Sequence, residues 1–175
     1  MEFFDIENYA SAEERERLKE LGFAYFCSDG AYTVFDVKNE DSQVLSGVMR
    51  PVMLKGETAC DVKKLASENP DIKFIVGGFF SGGIMVRDMA EILNTFENVY
   101  LNLSGGIWGG NYMLHELIKK VPVERVLFAT AYPYGNSAYK KAATEWELRD
   151  EADHIKEMIF CKNAMDLFGG YYGNN

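Results

Sequence analysis

Lys55 and Glu57 stand two residues apart at the end of a short apolar run, MRPVMLKGE. A lysine drawn into a low-dielectric mouth loses affinity for its proton and becomes an amine nucleophile of the Schiff-base type; a glutamate beside it is a ready acid or base. The same lysine at a strand end also suits solvent exposure or a plain ion pair. Asn102 and Ser104, in NVYLNLSGG, lie two apart and share one face of any strand that holds them. They suit hydrogen bonds to a ligand or a polar rim. In VLFATAYPYG, residues 126–135, Thr130, Tyr132 and Tyr134 share a side if the chain stays extended. Tyrosine can donate, accept and stack, so these are candidate ligand contacts; packing of Tyr132-Pro133 in the core and a turn is the competing role. Neither an acid nor a histidine closes that run. The acids after the other strands, Asp29 and Glu57, sit in loops where solvated carboxylates are the ordinary case.

The elements that must position these groups alternate. Apolar strand-like runs at 49–56, 72–78, 98–106 and 123–131 are followed by helical patterns at 58–70, 84–96, 112–121, 136–149 and 151–163. Strands without polar alternation imply burial on both faces, as in a parallel sheet covered by helices. Units of ~25–30 residues suit a barrel or an open doubly wound sheet. In the first 50 residues, EFFDI reads as a strand and SAEERERLKELG as a helix with Ser11 as N-cap and Gly22 as stop. GFAYFCSDGAYTVFDVKNED reads as two strands in a hairpin turning at Ser28-Asp29-Gly30. The ending, FGGYYGNN, reads as a frayed tail.

The 175 residues carry a net charge of −9, and their basic residues are scattered, which excludes a nucleic-acid partner. No apolar run is long enough to span a membrane, and the acidic N-terminus lacks a signal-peptide pattern. Cys27, Cys60 and Cys161 are odd in number with no C-x-x-C pair, which points to reduced thiols and a cytoplasmic location. His115 and His154, the only histidines, fall in helical segments, where structural imidazoles are the common case. The glycine clusters GGFFSGG (77–83) and SGGIWGG (104–110) match no phosphate-loop spacing; Phe79, Phe80 and Trp108 beside them suit a pocket lid or a subunit interface.

Five segments in order, RPVMLKGE, ASENPDIKFIVGG, ENVYLNLSG, VERVLFATAYPYG and IKEMIFCKNAMDLFG, resemble the amidohydrolase-related family of metal-dependent (β/α)8-barrel hydrolases and decarboxylases. The resemblance implies an α/β fold, a contracted or incomplete TIM-like barrel with parallel strands and outer helices. The chain is short against the ~250 residues of a full barrel. It implies one domain over 1–175, with 1–50 divergent and 50–169 carrying the βα units. Lys55 stands where the family strand places a histidine, Gly78 (or Gly77) where the next histidine belongs, and Ala131 where the metal-binding aspartate belongs. In FFDIENYA, Glu7 and Tyr9 replace the first strand's histidine pair. The expectation is therefore a mouth with no metal and no cofactor, binding a small molecule or partner through Glu7, Asn102, Ser104, Thr130, Tyr132 and Tyr134. The alternative is an active hydrolase or lyase with non-metal chemistry, in which Lys55, paired with Glu7 or Glu57, stands in for the cation or acts as nucleophile. A shortened barrel leaves edges that a homodimer would bury.

Overall fold

The structure is a computed structural model that describes residues 1–78, 84–105 and 113–169 and the backbone of 172–173. The lid-or-interface reading of Phe79, Phe80 and Trp108 lies outside the described residues.

Strands β3 (Thr33–Asp36), β4 (Val52–Lys55), β5 (Phe74–Val76), β6 (Val99–Asn102) and β7 (Val126–Leu127) form a five-stranded parallel sheet in chain order. A second sheet holds β1 (Phe3–Asp5) and β2 (Phe23–Cys27) in parallel, with β8 (Tyr172–Gly173) antiparallel on the far edge of β2. Past the sheet proper, the chain after β1 runs beside the chain after β7. Ile6 N donates to Phe128 O at 3.4 Å, Tyr9 N donates to Tyr132 O at 2.8 Å, and Asn8 pairs with Tyr132 in parallel sense. The two sheets thus meet along β1 and β7, and their strand ends share one rim.

The structure departs from the sequence expectation at two places. Residues 23–36 do not form a hairpin. A strand has two edges, and those of β2 are taken by β1 and β8, so β3 pairs with β4 instead. Ser28-Asp29-Gly30 marks the crossing between sheets, with Ala31 N donating to Ser28 O at 3.0 Å and Gly30 at φ 77. The C-terminal tail, read as frayed, contributes Tyr172 and Gly173 as partners of Cys27 and Phe26.

Alternation along the strands explains why the apolar runs show no polar side. One set of side chains, Phe3, Val52, Leu54, Phe74, Val76, Val99, Leu101, Val126 and Phe128, packs with helix residues such as Val62, Leu65, Met89, Ile92, Leu114 and Leu117. These come from α2 (Ala59–Glu68), α3 (Val86–Thr95) and α4 (Met113–Ile118). The alternate set, Phe4, Ile6, Met53, Ile75, Leu127 and Ala129, forms a second cluster with Ala164, Leu167 and Phe168. Those three belong to α7 (Asn163–Phe168), which follows the short α6 (Asp153–Glu157). Phe168 lies 6.0 Å from the ring of Phe4 and 6.3 Å from that of Tyr32. Helix α7 therefore fastens the two sheets together from their inner face.

The helix ends follow local rules. Helix α1 (Ala12–Lys19) has Ser11 as its N-cap and Gly22 beyond its end at φ 92, as read from the sequence; the structure adds Glu14, which completes a capping box with Ser11. Thr58 and Asp61 cap α2 in the same reciprocal way. Thr58→Ala removes that acceptor and is expected to lower unfolding free energy by about 1 kcal/mol in urea titrations. Arg125, just before β7, donates to the carbonyls of Leu93 and Phe96, which closes the exit of α3 against the sheet. Among the described residues, no helix is long and apolar enough to cross a membrane.

Candidate functional site

Past the end of β1, the chain carries Glu7 to the ends of β5 and β6. This residue is 1% exposed. Asn102 Nδ2 donates to Glu7 Oε2 at 2.7 Å, the Ser104 hydroxyl donates to the same oxygen through a short contact, and Tyr9 OH donates to Oε1 at 3.3 Å. Asn102 Oδ1 accepts from Ser104 N at 2.8 Å, so the loop after β6 is folded back onto the asparagine. The sharing of a face by Asn102 and Ser104, read from their spacing, aims both at one acid. Burial of a carboxylate this deep requires such donors, because an ion without them carries a large desolvation cost.

Gly78 completes the group by what it lacks. A Cβ at Gly78 would stand 3.0 Å from Glu7 Oε2 and 3.1 Å from Asn102 Nδ2. The carboxylate occupies the space into which a side chain at position 78 would project. Met53 Sδ lies 4.0 Å from Asn102 Nδ2 on the inner side. Tyr9 also meets Tyr32 and packs edge-on to Tyr134, with ring centroids 5.8 Å apart. Both phenols are pushed well up: Tyr9 by burial and then by the Glu7 charge, Tyr32 by burial and then by Tyr9, Cys27 and Glu7. They remain neutral donors across the physiological range.

A second buried acid lies two residues back. Asp5 accepts from Thr130 N at 2.9 Å, from Asn8 Nδ2 at 2.8 Å and from the Thr130 hydroxyl. Burial outweighs these donors and raises its pKa to about 6. Thr130 Oγ1 continues to Ser137 Oγ at 3.1 Å, at the start of α5 (Ser137–Glu147). Asp5 thus pins β1 to β7. Sequence reasoning passed over it; its signal was an acid inside the apolar run FFDI, where a charged side chain has no reason to be unless it is paired.

The remaining candidates are dispersed. Glu57 is fully buried, and its Oε1 accepts from Gly77 N at 3.0 Å, tying the end of β4 to the end of β5. Lys55 has a side chain 47% exposed and lies 3.4 Å from Asp36 Oδ2, its register partner on β3. Thr130, Tyr132 and Tyr134 do not present one side, because the extended run fails at Ala131. That residue takes φ 54, and Gly135 N donates to Ala131 O at 3.0 Å to close a turn. Thr130 faces Asp5, Tyr132 OH donates to Glu14 Oε1 of α1 at 2.8 Å, and Tyr134 stands at the rim, 61% exposed.

A parallel sheet with its helices outside and its polar residues gathered at the carboxyl ends of the strands is the layout of the (β/α)-barrel enzymes. Residues 57–170 match the family model described as Amidohydrolase, and the chain belongs to the amidohydrolase family. An amidohydrolase from Burkholderia multivorans, one of whose crystal forms has bound zinc, superposes with a TM-score of 0.60 at 12% identity, over 91% of this chain and 70% of that one. Amidohydrolase 2 from Bifidobacterium longum subsp. infantis gives 0.52 at 19% identity, over 69% of this chain and 50% of that one. An uncharacterized TIM-barrel protein from Bordetella bronchiseptica gives 0.52 at 16% identity, over 95% and 66%. The chain therefore spans half to about 70% of these relatives' length. No curated protein sequence matches it.

The family resemblance implies a divalent metal, and the donor set here does not fit one. Among the described residues, no three His, Cys, Asp or Glu side chains converge. Around Glu7, Asn102 turns its Nδ2, which has no free lone pair, toward the carboxylate, and Ser104 Oγ and Tyr9 OH are neutral hydroxyls rather than the imidazole, thiolate or carboxylate ligands that hold a divalent metal.

Proposed function

We propose that this amidohydrolase-family chain binds a small molecule at the rim of its strands, around Glu7, Asn102, Ser104 and the phenols of Tyr9 and Tyr134, without a resident metal. The single observation that carries this reading is the exchange at Gly78. The carboxylate of Glu7 takes the space at the rim into which a side chain at position 78, just past β5, would project. A buried carboxylate ringed by hydroxyl and amide donors orients a ligand by hydrogen bonding, and flanking phenols add stacking surface. Thr130 supports the rim through Asp5, and Glu57 supports it through Gly77. The non-metal hydrolase or lyase alternative built on Lys55 gains no favouring observation, since that side chain reaches Asp36 on the outer strand.

The ε-methyl of Met53, beside Asn102, is a reporter for the test. With methyl-labelled full chain and millimolar imidazole, phenol and acetamide as separate probes, at least one is expected to shift the Met53 resonance saturably. The shift disappears in Glu7→Gln. Silence from all three, with zinc alone moving the resonance, would overturn the reading.

A further inference from the structure

Beside the tips of β1 and β2, a cavity of about 270 Å³ is lined by Ala10, Ala12, Arg15, Glu16 and Asp29. Arg15 differs from the chain's other arginines. Arg17, Arg87 and Arg149 meet carboxylates, Arg50 donates to Gly30 O, and Arg125 donates to three backbone carbonyls. Among the described residues, the Arg15 guanidinium meets no acceptor. It lies 5.3 Å above the centre of the Phe26 ring, and its Nε is sealed from water with no hydrogen-bond partner.

Stacking on Phe26 holds the guanidinium in place, and the sealed Nε carries a cost in free energy while it stays unmet. With Nε covered, its two terminal nitrogens are the atoms that can meet a ligand, and their spacing suits the two oxygens of a carboxylate. The walls set the charge of that ligand. Glu16 is tied to Lys19 at 2.6 Å, and Asp29 lines the cavity as a second acid. Two acids around one guanidinium disfavour a multiply charged oxyanion such as phosphate, because like charges in a confined site repel. Ala10 and Ala12 supply an apolar patch for a short carbon stem.

We propose that Arg15 receives the carboxylate of a small, singly charged organic acid in this cavity. The site is separate from the group around Glu7 and does not depend on it. The full-length protein with labelled alanine methyls tests it, using the Ala10 and Ala12 resonances as readout and sodium acetate and sodium phosphate as probes. Acetate is expected to shift both methyls saturably, with a dissociation constant on the order of 10 mM. Phosphate at equal concentration shifts them less. Arg15→Lys keeps the charge and the helix propensity but not the fork, and weakens acetate binding at least about tenfold. Glu7→Gln leaves the acetate response in place.

Four outcomes of these titrations would overturn the assignment, and the Asp29→Asn spectrum supplies a fifth. The four are no saturable shift, equal acetate affinity in Arg15→Lys, phosphate binding tighter than acetate, or loss of the acetate response in Glu7→Gln. Asp29→Asn addresses the internal competitor: if that substitution alone reproduces the acetate-bound spectrum, Arg15 belongs to Asp29 and the carboxylate site is wrong.

Discussion

Gly105→Ala is expected to destabilise the protein by about 3 kcal/mol, at the upper end of overpacking costs. A Cβ at this position would collide with the carbonyl oxygen of Gly77 and lie 3.2 Å from that of Gly78. Both are backbone atoms, so no side-chain rotation relieves the contact. The ends of β5 and β6 must separate, and that movement pulls Ser104 from Glu7, since Ser104 is the next residue in the chain. For a domain of this size the thermal midpoint should fall by roughly 6–12 °C. Differential scanning calorimetry measures it. A midpoint within about 1 °C of wild type would mean that the two strand ends are not in contact as described.

The second large effect is a pH dependence traced to Asp5. Its carboxyl titrates near 6 in the folded chain against an ordinary value of 3.8, because burial outweighs the donors Asn8 and Thr130. Between those values the native protein holds a proton that the unfolded chain has released. Stability contributed by this group is therefore fully present below the unfolded value and is lost as pH rises through about 6. The amplitude is about 3 kcal/mol by linkage. Protonation costs no hydrogen bond, because the Thr130 hydroxyl that donates to the carboxylate can turn to accept from the acid and donate to Ser137. Cys27 feels the Asp5 charge, so the comparison that isolates the effect is wild type against Asp5→Asn. From pH 7 to pH 4.5, the stability of wild type should rise relative to the variant in denaturant titrations. Parallel curves for the two proteins would place Asp5 in water.

Much of this fold is legible in the sequence because it is local. The capping boxes at Ser11 and Thr58, the stop at Gly22 and the two-sided apolar strands all report nearest-neighbour physics. The pairing of Asn102 with Ser104 follows from the two-residue repeat of a strand, and their convergence on Glu7 follows from parallel strands sharing one rim. What failed was non-local. Ser28-Asp29-Gly30 has the composition of a hairpin turn, but pairing is decided by which edges are vacant, and the last strand claims the edge of β2. An ion pair is one of the roles that the strand-end position of Lys55 suits, but its partner, Asp36, is set by register with the preceding strand of the sheet and is not legible from local spacing. The run at 126–135 turns at Ala131, where a left-handed φ is not legible from an alanine.

The most direct measurement is the zinc stoichiometry of the purified full chain after equilibration with micromolar zinc and removal of excess metal, read by elemental analysis. A rim in which Glu7 takes its hydrogen bonds from Asn102, Ser104 and Tyr9 is expected to retain only a small fraction of one zinc ion per chain. A full equivalent of zinc that survives dialysis in wild type and is lost in Glu7→Gln would mean that the carboxylate is a metal ligand after all, and the ligand site built around it would not stand.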